Sequence, residues 1–205
     1  MSTTAIPRTP DAPGPTSHHL APGRYTRVAV WLHWIVAALI VAQLIGGIVM
    51  HKLPNSAAFK YEAYQMHKSF GLVVLALAVF RLGWRLTHRA PPLPEGTKGW
   101  ERLLARATHT AFYMLIIAVP LAGWLMVSAI DYGTDSFFFV ATIPELPGAG
   151  VLSGDAWAEV HEYMAFAIIG LLVLHVAAAL KHHFVDKDGV LARMVPGMAR
   201  PRGTA

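Results

Sequence analysis

LLVLHVAAALKHH, residues 171–183, sets one imidazole, His175, inside a run that is otherwise apolar and that closes on Lys181, His182 and His183. The run is the second half of HEYMAFAIIGLLVLHVAAALKHH, 161–183. At ~1.5 Å per residue such a helix crosses the ~30 Å hydrocarbon core of a bilayer. Three other segments share its character, about 28–50, 67–87 and 109–129, and each also contains a histidine. Of the 205 residues, 55% are hydrophobic and only 14% charged, which argues against a water-soluble globular domain. The fold expected is all-α, an integral membrane four-helix transmembrane bundle with the bilayer as its solvent.

The basic residues sort by connection. Arg8, Arg24 and Arg27 precede the first span; Arg81, Arg85, Arg89, Lys98, Arg102 and Arg106 flank the second connection; Lys181, Lys187, Arg193, Arg200 and Arg202 follow the fourth span. The positive-inside rule then puts the N- and C-termini in the cytoplasm of a multi-pass protein of a bacterial inner membrane. This asymmetry also accounts for the net charge of +5 without nucleic acid as a partner. Residues 1–23, rich in Pro, Ser and Thr, read as a disordered cytoplasmic tail, 24–197 as the transmembrane domain, and 198–205 as a second cytoplasmic tail.

Between spans, GTKGWERLLARAT resembles a short interfacial helix with Trp100, Leu103 and Leu104 towards lipid. Pro120 predicts a kink in the third span. The connection of about thirty residues before the fourth span carries FFFV, 137–140, apolar enough to lie on the bundle.

With this topology each histidine has a depth. His33 and His175 are level near the cytoplasmic side, and His67 and His161 are level near the outer side. His161 and His175 are 14 residues apart on one helix, which separates them by ~21 Å and only ~40° around the axis. Two levels with two imidazoles each suit the two axial faces of a haem, whereas structural zinc wants four close ligands and thiolates are absent with cysteine. Intramembrane imidazoles usually face the bundle interior and carry function. Arg81, ~21 Å along span two from His67, reaches the inner level with Arg27 and Arg85 nearby, as counter-charge for propionates. Lys68 and Lys60 would serve the outer level. Ordinary snorkelling of these cations at the membrane boundary explains them as well. His109 opens span three at the inner level and is expected to meet a propionate or a quinone. Periodicity alone leaves His51, 18 residues after His33, as a rival to His67.

WLHW in span one, MHKSFG and VFRLGWR at the two ends of span two, HEYMAF and LHVAAALKHHF in span four resemble the bacterial cytochrome b561 family over roughly 24–197. The resemblance implies four helices, two b-type haems per chain, and axial ligation by His33 with His175 and by His67 with His161; it decides for His67 over His51. It also implies an oxidoreductase whose partners are ubiquinone and superoxide or another periplasmic electron donor. Iron with both axial positions filled by protein suits electron transfer and not oxygen activation. A haem-bearing membrane anchor of a hydrogenase or formate dehydrogenase type enzyme, and a haem-free histidine-lined transporter, are the alternative readings. Assembly as a homodimer stays open.

Overall fold

The computed structural model describes residues 24–94, 96–130, 136–195 and 197–198. The tails expected over 1–23 and 198–205 lie outside them, save for Met198. Four helices dominate: α1 (Arg27–Lys52), α2 (Lys60–Thr87), α3 (Gly99–Ala129) and α4 (Gly154–Lys181). All four are long and apolar enough to span a membrane. The extensive contacts are α3 with α4, α1 with α2, and α2 with α3. The central packing is of small and branched side chains, Ala78, Ile116 and Ile168, flanked by Ile40, Leu44 and Phe112. Much of the rest of the apolar surface, Trp31, Ile45, Val79, Met114 and Val173 among it, points outward. In water this would be untenable; in lipid it is what solvates the protein.

Three of the helices start earlier than the hydropathy pattern placed them. α2 begins at Lys60, α4 at Gly154 and α3 at Gly99. The separate interfacial helix expected before span three is instead the first part of α3. Its first turn is closed by Glu101, whose Oε2 accepts the Lys98 N–H at 3.1 Å, and no Gly or Pro interrupts 100–119. Trp100, Leu103 and Leu104 remain exposed along it. The helix continues through Pro120.

Tryptophans peg the ends. At one end of the bundle Trp34 Nε1 donates to the Met194 carbonyl at 2.6 Å and Trp84 Nε1 to Thr26 Oγ1 at 3.0 Å, the same hydroxyl that caps α1 by accepting from Ala29 N. At the other, Trp124 Nε1 donates to Pro144 O and Trp157 Nε1 to Ala149 O. Each indole thus stays apolar on its body and satisfied at its N–H, as suits a membrane boundary. α4 opens into a π-helical turn, His182–Asp186. There Lys181 Nζ bridges Asp186 at 2.7 Å and Glu101 of α3 at 3.1 Å, while His182 Nδ1 lies 2.6 Å from Asp188 Oδ2. The start of α3 is tied in this way to the end of α4.

FFFV does lie on the bundle, as part of a small hairpin: β1 (Ser136–Phe137) pairs antiparallel with β2 (Ala141–Thr142). Its turn places two consecutive phenylalanines in the left-handed region, Phe138 at φ 48° and Phe139 at φ 61°. Phenylalanine is a poor residue for such a turn. Docking compensates: Ser69 and Gln65 of α2, the most buried polar side chains among the described residues, receive Phe138 N–H (2.8 Å, on Oγ) and Ser136 N–H (3.3 Å, on Oε1). Phe138 also sets its ring edge-on to Phe70 at 5.1 Å. Ser69→Ala is therefore expected to remove the acceptor of a part-buried N–H, a cost of ~1 kcal/mol, and to speed proteolytic cleavage within 136–142. An unchanged cleavage rate would show that the hairpin does not depend on this contact.

Candidate functional site

Each helix has a pair of positions fourteen residues apart that share a face and differ in depth by ~21 Å. α1 offers His33 and Gly47, α2 Arg81 and His67, α3 His109 and Gly123, α4 His175 and His161, with the inner-level residue first in each case.

At the inner level the rings of His33 and His175 have centroids 6.2 Å apart and planes inclined at 61°. His109 brings a third imidazole to 5.8 Å from His175, and Phe112 a phenyl ring to 5.5 Å. Arg81 reaches in from α2: one guanidinium nitrogen donates to Ala29 O at 3.3 Å and the other lies 3.2 Å from His33 Nδ1, with the Tyr113 ring 6.0 Å from its central carbon. At the outer level His67 and His161 repeat the 6.2 Å separation, with planes at 77°. His161 Nδ1 donates to Val119 O at 2.8 Å. His67 Nδ1 is buried without a hydrogen-bond partner among the described residues, while the backbone carbonyl of His67 accepts from Gln43 Nε2 at 2.8 Å.

Residues 24–197 match the family model described as prokaryotic cytochrome b561. The chain belongs to that family. Cytochrome b561 proteins of this family are multi-pass bacterial inner-membrane proteins that transfer electrons and carry b-type haem. Among similar proteins are cytochrome b561 homolog 2 of Escherichia coli K12, 33% identical, covering 85% of this chain and 92% of that protein. The probable superoxide oxidase CybB of Yersinia pestis is 28% identical over 84% of this chain and 96% of its own. Cytochrome b562 of Cereibacter sphaeroides is 29% identical, with 87% and 96% covered.

The geometry of both levels fits the family's cofactor. With metal–nitrogen bonds of ~2 Å and ~1 Å more from ring atom to ring centre, two imidazoles on opposite faces of one metal have centres about 6 Å apart. Both ring pairs have that separation. The His161 Nδ1–H bond to a carbonyl fixes the tautomer whose Nε2 lone pair is free for a metal. His33 differs, because a guanidinium only donates and Nδ1 must here accept. Ligation through its Nε2 therefore requires the proton on Nδ1, and releases the Arg81 contact.

The cations expected around the two levels stand in different settings. Arg27 is exposed at the first turn of α1. Lys60 donates to Leu53 O and Asn55 Oδ1, both at 2.8 Å, and so holds the α1–α2 connection. Lys68 is half-buried beside His67 on α2. His51 is exposed at the end of α1, and His88 stacks on Trp84 at 3.8 Å, away from both levels. Sequence reasoning missed Gly47, Gly123 and Gln43. The signal for the glycines was present, since they stand fourteen residues beyond His33 and His109.

Proposed function

We propose that the chain carries electrons across the membrane through two b-type haems, an inner one held by His33 and His175 and an outer one by His67 and His161. The observation that carries this is the equal 6.2 Å separation of two imidazole pairs, each bridging two helices and lying at different depths of one bundle. Haem bound there would supply one-electron redox chemistry. The protein's residues do the rest: four imidazoles hold and orient, Val119 O sets a tautomer, and Arg81, once released from His33, is free to pair with a carboxylate. His109 stands beside His175 as a polar group on the inner level. Residues 1–23 and 198–205 flank the domain as tails, and the basic ends of the helices, with both termini, face the cytoplasm.

Similarity to a probable superoxide oxidase supports superoxide as the outer electron donor, and the acceptor in this reading is ubiquinone. Two superoxide anions yield two molecules of O2 and two electrons, and one quinone takes both electrons with two protons to give the quinol. Lys52, exposed near the outer end of α1, contributes positive charge on that side.

A dithionite-reduced minus oxidised spectrum, with haem quantified per chain, tests the reading: a b-type band and two haems per chain are expected, and a colourless protein returns the histidine-lined transporter. Stopped-flow mixing with superoxide should reduce the haem faster than in superoxide dismutase controls. Equal rates would remove superoxide as donor and leave the haem assignment intact.

A further inference from the structure

Gly47 and Gly123 face imidazoles. A Cβ built on Gly123 would lie 3.0 Å from His161 Nδ1 and 3.1 Å from its Cε1; one on Gly47 would lie 3.3 Å from His67 Cε1. Small residues in membrane helices ordinarily let two backbones approach, but here the approaching group is the ring of an outer-level histidine in both cases. Gly46, Gly83 and Gly170, also inside helices, have nothing within 4 Å of such a Cβ. Gly71 and Gly154 meet Gln43 and Ile130 instead, so among the described helical glycines an imidazole crowds only Gly47 and Gly123, the two at the outer level, on the two helices that offer no histidine there.

We infer that Gly47 and Gly123 are positioning residues that fix the orientation of the two outer imidazoles, and through it the redox character of the outer centre. The inference rests on the ligand assignment proposed above. At Gly123 the His161 ring lies across a bare turn of α3 and donates Nδ1–H to Val119 O, four residues earlier on that turn. A methyl group at 123 pushes the ring by a few tenths of an ångström and lengthens this bond. At Gly47 the His67 ring rests on α1, and α2 cannot retreat freely, because Gln43 of α1 holds the His67 carbonyl across Gly71, where a Cβ would lie 3.5 Å from the Gln43 amide nitrogen. The two rings are thus each backed by a glycine of another helix, with their planes inclined at 77°.

Two properties follow from general coordination chemistry. A carbonyl accepting the second ring proton makes an imidazole a stronger electron donor and favours the oxidised metal. The angle between two axial imidazole planes sets the g-values of low-spin ferric iron.

The test uses the full-length, haem-loaded protein and three variants, Gly123→Ala, Gly47→Ala and, as the control on the same helix, Gly46→Ala. Low-temperature EPR of the oxidised protein, redox titration and haem per chain are read for each. Gly123→Ala should move the outer low-spin signal and raise the outer midpoint potential, and Gly47→Ala should move the signal. Gly46→Ala should do neither, and the inner signal should stay in place in all three. Selective loss of the outer haem in Gly123→Ala or Gly47→Ala also supports the inference. It is overturned if those two variants match Gly46→Ala, or if they lose both haems together as a general packing defect. His67→Ala and His161→Ala, measured alongside, separate the two levels of argument: retention of the outer haem in both sinks the ligand assignment, whatever the glycine variants do.

Discussion

His161→Ala should take the protein from two haems per chain to one and leave a single redox transition, that of the inner centre. Among the described residues no other imidazole has a ring contact with His67, so no replacement for the lost ligand is at hand. His67→Ala should have the same result from the other side. At the inner level His33→Ala and His175→Ala should each remove the inner haem. His109 does not substitute for either: it stands on α3 beside His175 and has no ring contact with His33 among the described residues. His51→Ala should keep both haems, because its side chain is exposed beyond the outer ring pair. Haem per chain by pyridine haemochrome, with a redox titration to say which centre remains, checks all five. An outer centre that disappears in His51→Ala, or survives in His161→Ala, contradicts the pairing.

Arg81→Gln should lower the midpoint potential of the inner centre and leave the outer one in place. A permanent positive charge within several ångströms disfavours the more positive, oxidised state of a metal. At an effective dielectric of ~20 an unpaired charge there is worth on the order of 2 kcal/mol, or roughly 90 mV for one electron when ~59 mV corresponds to a factor of ten, and pairing of Arg81 with a carboxylate makes the shift smaller than this. Glutamine ends two bonds short of the arginine nitrogen that bonds Ala29 O at 3.3 Å, so Arg81→Lys, which keeps the charge, is the control for the lost contact. Redox titration that shows an unchanged inner potential would mean that Arg81 stays fully neutralised by an anion, or points elsewhere when haem is bound.

The spans and the two imidazole levels were legible because both depend on periodicities the chain cannot hide: the length of an apolar run and the fourteen-residue return to one helix face. The helix starts were less so. Hydropathy marks where side chains meet lipid, and α2, α3 and α4 run on past that boundary through Lys60–Met66, Gly99–Thr108 and Gly154–Val160. The hairpin could not be read, since Phe138 and Phe139 carry no turn chemistry and are forced into the left-handed region by docking on Ser69 and Gln65. At the site, spacing could not settle what the cations do: Lys60 bonds the α1–α2 connection and Arg27 lies exposed, and a charge near a membrane boundary has several uses among which spacing does not choose. Gly47 and Gly123 share the fourteen-residue spacing with His33 and His109 but carry no side chain to attract notice, and the approach of the rings is what points to a role for them.

His161 and His175 stand on a single unbroken helix, α4. The vertical distance between the two storeys is accordingly a property of helical pitch and not of the surrounding lipid. Shorter or longer acyl chains can lean the whole assembly without stretching it, so on the proposed haem assignment traffic between the storeys should proceed at one speed in thin and thick bilayers alike.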